Sequence, residues 1–113
     1  LLGDMPAHDI LPLLPAEGSI CASGDLTPLS YIAGALAGER DVRFRGEIMV
    51  SAEAFRRAGL KPIRLQPKEG LAVMNGTSVM TALGALAFVR AMRVSHLATR
   101  LTSMATLALL GNP

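Results

Sequence analysis

Asn75-Gly76-Thr77-Ser78-Val79-Met80-Thr81-Ala82-Leu83-Gly84-Ala85-Leu86-Ala87-Phe88-Val89-Arg90 is the run that decides the fold. Asn75-Gly76 followed by two hydroxyl residues reads as a turn and a helix cap, with Thr77 or Ser78 accepting the first free amides. The apolar pattern then continues to about Leu110, before Gly111. That is one helix of over thirty residues, near 50 Å at about 1.5 Å per residue. Val79 to Val89 carries no charge and is apolar nearly all round, as in a helix buried inside a bundle. Beyond it, Arg90, Arg93, His96 and Arg100 share one stripe, and Leu97, Leu101, Met104, Leu107 and Leu109 fill the other faces. A helix this long exceeds the ordinary globular length. The expected fold class is mainly α, part of a long-helix bundle subunit whose copies associate along such helices.

Composition points the same way. Half of the residues are hydrophobic and 18% are charged, and the mean hydropathy is +0.40. A 113-residue chain has too much surface to hide that much apolar side chain. The expectation is an interior piece of a larger, oligomeric protein, read as a single segment over 1–113. The net charge of +2 is mild, the arginines are scattered, and aromatics total 4%. Stacking platforms for nucleic acid are therefore lacking. One cysteine excludes an internal disulfide and makes no zinc site alone. A reducing, cytoplasmic compartment fits, with no metal expected. Leu71 to Val89 has the length of a membrane span, but Asn75 to Ser78 splits it and Arg90 and Arg93 close it, so no membrane is expected.

Outward from that run, the remaining chain is short elements. Pro6, Pro12 and Pro15 forbid a long helix in the first fifteen residues, and Asp9 to Pro12 reads as extended. A helix follows with Thr27 as cap, Pro28 at its first position and Gly38 as its stop. Leu29, Ile32, Ala33 and Leu36 form its apolar stripe. Residues near 42–50 make a candidate β-hairpin turning at Gly46. Ser51 reads as the cap of a helix from Ala52 to Ala58, stopped by Gly59, with Arg56 and Arg57 as a solvated face. Lys68 to Met74 reads as a helical turn or two.

Between the prolines and the first capped helix lies Gly18-Ser19-Ile20-Cys21-Ala22-Ser23-Gly24-Asp25-Leu26. Ala22-Ser23-Gly24 combines a small residue, a β-hydroxyl and a residue without Cβ. The Gly24 nitrogen can swing toward the Ala22 carbonyl carbon because no side chain opposes it. Closing that bond makes a five-membered ring. Loss of two waters, one from the ring and one from Ser23, leaves an exocyclic methylidene. The product is an electrophile that no standard side chain supplies.

The stretch Gly18 to Gly34 closely resembles the signature of the aromatic amino acid ammonia-lyase and aminomutase family. Lys68-Glu69-Gly70-Leu71-Ala72-Val73-Met74-Asn75-Gly76-Thr77 resembles that family's second signature. The resemblance implies that Ala22, Ser23 and Gly24 cyclise to 4-methylidene-imidazole-5-one, the MIO group. It implies addition of the substrate amine to the methylidene, proton removal by a base, and departure of ammonia to give an aryl acrylate. Aminomutases return the amine to the β-carbon instead. It assigns Asn75 to the ring oxygen, Leu26, Leu71 and Met74 to the substrate side, and Asp25 to supporting the loop. Leu29 to Ala33 and Ser78 look closer to the phenylalanine and tyrosine branch than to the histidine branch. Cys21 departs from the glycine of many members. The family's base tyrosine and carboxylate-binding arginine have no counterpart in this chain. Its active sites are built from several subunits of a homotetramer, so this segment alone is expected to be inactive.

Other readings fit less. Ser23 lacks the Gly-x-Ser-x-Gly elbow of a hydrolase nucleophile. The loop of the fumarase and argininosuccinate lyase type does not occur. A non-catalytic helical oligomerisation segment accounts for the long helix but not for the two motifs. A solvated ion pair at Lys68-Glu69 would be worth under about 1 kcal/mol.

Overall fold

The computed structural model describes residues 1–19 and 23–111. The chain is mainly α. It divides into two compact units, Leu1–Val79 and the remainder from Met80. The first unit holds every element but the body of the last helix. It opens with α1 (Asp4–Ala7), a single turn that contains Pro6, so no long helix forms here, as expected, and β1 (Ile10–Pro12). Then come α2 (Leu26–Leu36), β2 (Asp41–Phe44), β3 (Glu47–Val50), α3 (Ser51–Ala58) and α4 (Glu69–Met74).

The hairpin forms where the alternation placed it. Its two-residue turn, Arg45-Gly46, has both φ positive, the arrangement that matches strand twist. The sheet is larger than a hairpin, however. The extended stretch before the loop pairs antiparallel with β2, Ile10 opposite Phe44 and Pro12 opposite Val42, giving the order β1-β2-β3. A proline is admitted there because β1 is an edge strand. Ile10, Val42 and Phe44 turn inward and pack with Met5, Ala35, Leu36, Ala54 and Phe55 as one core.

Three helix boundaries differ from the sequence expectation. α2 begins at Leu26 with Asp25 at its cap position, so Thr27 and Pro28 fall inside the first turn rather than starting it. Proline is tolerated there because first-turn amides have no helical partner. α3 begins at Ser51, whose buried hydroxyl has no hydrogen-bond partner; Val50 occupies the cap position. The stop at Gly59 holds, with φ +71 and the Leu60 N–H donating to the Phe55 carbonyl at 2.8 Å. Arg56 and Arg57 are exposed as expected, and both bond Glu53.

α5 (Ser78–Ala108) spans 31 residues and none of them is buried among the described residues. Its end departs from expectation. Leu110, not Gly111, takes the left-handed position at φ +54. The Gly111 N–H donates to the Thr106 carbonyl at 2.8 Å and the Leu110 N–H to Leu107 at 3.1 Å, the paired bonds of a Schellman stop. The stretch Glu69–Ala108, which contains α5, is long and apolar enough to cross a membrane by length and composition. Its uncharged run from Ser78 to Val89, though, reaches only about 18 Å, short of a hydrocarbon core of about 30 Å.

Candidate active site

The loop that holds Ser23 and Gly24 sits between β1 and α2, and α2 packs directly against α4. That packing brings the two signature stretches together. The Asp25 N–H donates to the Gly76 carbonyl at 2.7 Å, a short bond between segments separated by the whole hairpin and α3. The Asp25 carbonyl in turn accepts the Leu29 N–H at 3.0 Å, the first bond of α2. Asp25 is 1% exposed. Its Oδ1 accepts the Ser19 hydroxyl at 3.5 Å, which draws the two ends of the loop toward each other.

Gly24 has φ +118, and a Cβ there would lie 2.9 Å from both the nitrogen and the oxygen of Gly76. Carbon atoms do not approach backbone so closely, so only glycine fits between the loop and the Asn75-Gly76 peptide. This cradle is the fit test for the MIO group. The residue that must carry the attacking nitrogen has its Cα against the peptide of Asn75, the residue assigned to the ring oxygen. Gly24 and the Asn75-Gly76 turn fit the group.

The assigned residues are placed as follows. Ser23 is exposed. Asn75 is exposed at the C-terminus of α4, its N–H donating to the Leu71 carbonyl at 2.9 Å. Leu26 and Leu71 are 42% and 59% exposed, large apolar side chains left available for contact. Met74 is half-buried and lines a cavity of about 620 Å³ with Ser30, Ala33, Gly34, Arg40 and Arg64. None of the other assigned residues among those described lines that cavity. Ala22 and Cys21 lie outside the described residues.

Two supports escaped the sequence reading. Glu69 does not spend its charge on Lys68. Its Oε2 accepts the Gln66 N–H at 2.7 Å while its own N–H donates to the Gln66 carbonyl at 3.0 Å. That reciprocal pair fixes the start of α4, and the spacing of Gln66 and Glu69 resembles the reach-back of a capping box. The second is Gly76. Its peptide is the surface on which Gly24 rests, and backbone contact of this kind leaves no mark in side-chain pattern.

Comparisons with known proteins follow the same line. A sequence profile described as aromatic amino acid lyase matches residues 1–113. The histidine ammonia-lyase of Gloeobacter violaceus is 47% identical over 112 residues, which cover 99% of this chain and 22% of that protein. The crystal structure of histidine ammonia-lyase from Trypanosoma cruzi superposes with a TM-score of 0.78 at 36% identity, covering 91% of this chain and 20% of that one. Phenylalanine aminomutase of Pantoea agglomerans superposes at 0.71 with 40% identity, covering 80% and 17%. The chain thus spans about a fifth of the length of the relatives it matches.

Proposed function

Since the chain belongs to the aromatic amino acid lyase family along residues 1–113, we propose that the subunit containing it eliminates ammonia from an aromatic L-amino acid to give an aryl acrylate, using an MIO group made from Ala22, Ser23 and Gly24. The observation that carries the reading is the 2.7 Å bond from Asp25 to Gly76, which joins the ring-forming loop to the Asn75 turn. The MIO group supplies an electrophilic methylidene carbon to the substrate amine.

The chain's own residues act around it. Ser23 gives up its hydroxyl in forming the group, and its exposure leaves that position open to substrate. Asn75 offers an amide N–H to the oxygen on which negative charge would build. Asp25 holds the loop through its backbone on both sides and through Ser19. Leu26 and Leu71 present apolar surface to an aryl ring, and Met74 backs α4. The proton-abstracting base and the carboxylate clamp come from other segments of a cytoplasmic homotetramer. Residues 1–113 alone are therefore inactive.

Phenylalanine or tyrosine is the proposed substrate, on the ground of Leu29-Ser30-Tyr31-Ile32-Ala33 and Ser78. Histidine is the second reading, favoured by 47% identity over nearly the whole chain to a histidine ammonia-lyase. An aminomutase outcome has the Pantoea agglomerans likeness behind it. Peptide mass of the Ala22–Gly24 region in the full-length protein tests the premise, since ring formation removes two waters. Ser23→Ala restores the sequence mass and abolishes deamination with little change in folding. Wild-type turnover in that variant, or an unmodified mass in active enzyme, would overturn the reading. Assays on phenylalanine, tyrosine and histidine, scored for acrylate and β-amino acid, then fix substrate and outcome.

A further inference from the structure

Among the described residues assigned to ring or substrate, only Met74 lines the cavity of about 620 Å³. That volume is in the usual range for a small-molecule site. The cavity lies between α2, α4 and the stretch 63–65, and its apolar walls are Ala33, Ala37, Ile63, Leu65 and Met74. Three charged side chains also line it: Glu39, Arg40 and Arg64. Among the described residues none of the three is in an ion pair. Arg40 is already ordered, because its guanidinium stacks on the Tyr31 ring, 4.3 Å from the centroid. Stacking occupies the face of a guanidinium and leaves its N–H edge for a two-pronged bond to a carboxylate. The negative end of α2 does little to oppose an anion, since its last carbonyls are taken. Gly34 accepts the Glu39 N–H at 2.9 Å, Ala35 the Gly38 N–H at 3.1 Å and Leu36 the Ile63 N–H at 2.9 Å.

We propose that this cavity is a binding site for a monocarboxylate with an apolar body, held by Arg40 and Arg64, and that filling it slows turnover by way of α4. Two guanidiniums against the one carboxylate of Glu39 leave the cavity with a positive charge in excess. A ligand with a single negative charge brings it to neutrality. A zwitterionic amino acid leaves the excess in place, and a phosphate offers nothing to the apolar walls. An aryl acrylate has both parts. That choice of ligand, and the effect on turnover, rest on the function proposed above; the charge and the walls of the cavity stand without it.

The route to turnover is the spacing along α4. Gly70 and Met74, four residues apart, line the cavity. Leu71 and Asn75, one residue on from each, share the next face of the chain and are exposed. α4 is six residues long and none of them is buried. A helix so short has little stability of its own, so the surface it rests on sets where its last turn stands. A ligand between α2 and α4 touches Gly70 and Met74 directly. It alters the placing of Asn75 to the extent that it binds one setting of α4 better than another. No covalent bond is made or broken.

The test uses full-length protein and trans-cinnamate, the acrylate that carries a phenyl ring. Calorimetric titration counts the molecules bound per subunit, and initial rates record inhibition. The wild type should bind one molecule more per subunit than Arg40→Gln/Arg64→Gln, and cinnamate should lower its kcat as well as raise its KM. The double variant should keep kcat and KM in the absence of cinnamate, lose that molecule, and show only the rise in KM. Phenethylamine, which has the ring without the carboxylate, should leave the wild-type kcat unchanged. Equal binding in the two proteins overturns the proposal, and so does purely competitive inhibition of the wild type. Both arginines are exposed, so the variant should fold. Should it not, Arg64→Gln alone should weaken that molecule's binding at least about tenfold, and an unchanged affinity has the same force. Protein that deaminates none of phenylalanine, tyrosine and histidine would sink the function proposed above, while the count of bound cinnamate in the two proteins still decides the site.

Discussion

Gly24→Ala isolates the contact on which the site is built. Both proteins compared should carry Ser23→Ala, so that no side-chain hydroxyl is left to eliminate and the difference is steric. A side chain at φ +118 costs about 1–3 kcal/mol, because that region is open only to glycine. The new Cβ would stand 2.9 Å from the Gly76 nitrogen and oxygen, and backbone cannot swing aside as a side-chain tip can. Relief by shifting the chain adds about 1–3 kcal/mol. The shift stretches the 2.7 Å Asp25–Gly76 bond, worth about 0.5–1.5 kcal/mol net. The sum is about 2.5–7.5 kcal/mol of local stability. At about 1.4 kcal/mol per factor of ten, the low end is already about sixtyfold. Amide hydrogen exchange reads this directly, since the Asp25 N–H exchanges only when its bond to Gly76 opens. Exchange at Asp25 should quicken at least about sixtyfold, while α3 amides stay as they were. Exchange within threefold of the parent would refute the close approach.

Two further predictions concern the scaffold. Leu110→Gly should stabilise the end of α5 by about 1 kcal/mol, read as slower exchange of the Gly111 amide, because a leucine now occupies the left-handed position at φ +54. Glu53 accepts two hydrogen bonds from Arg56 and one from Arg57, at 2.7–2.8 Å, which hold its carboxyl down to about 2. Its folded pKa lies below the unfolded value near 4.5, so its contribution to α3 is present above about pH 4.5 and is lost as pH falls toward 2. Exchange of α3 amides should accelerate across that window, and Glu53→Gln should flatten the dependence; an unchanged profile in the variant would reject the assignment.

Local chemistry was legible in the sequence and tertiary return was not. The hairpin announced itself through Val42-Arg43-Phe44 and the Arg45-Gly46 turn, and α5 through its unbroken apolar run. The stop at Gly59 was equally plain. Asp25 took the cap position from Thr27 because its backbone is held by Gly76, a residue from the other end of the unit. β1 could be read as extended but not as paired, since its partner lies some thirty residues on and the strand is only three residues long. Ser51 looked like a cap because serines usually are. Here the preceding strand runs straight into the helix, and the Ser51 N–H is spent on the Arg40 carbonyl at 2.9 Å.

The site's dependence on the segment between the two motifs follows from those same contacts. Gly24 and Asn75 meet only if the chain, having left α2, returns alongside it. The return is secured twice. The Schellman pair at the end of α2, Gly38 N–H to Ala35 and Glu39 N–H to Gly34, reverses the chain sharply. After the hairpin and α3, the Ile63 N–H bonds the Leu36 carbonyl at 2.9 Å, bringing the extended stretch back beside the end of α2. Between those points Phe55 and Ala54 fill the core against Ala35 and Leu36, so the insert is anchored by burial and not by its loops. From Ile63 the chain runs to Gln66, where the reciprocal bonds with Glu69 start α4. α4 then lies on α2 and delivers Asn75-Gly76 to the loop. The insert of hairpin and α3 carries none of the assigned chemical groups. Its small core nevertheless sets the separation between the ring-forming tripeptide and its supporting turn, which gives residues such as Phe55 a bearing on the site without any contact to it.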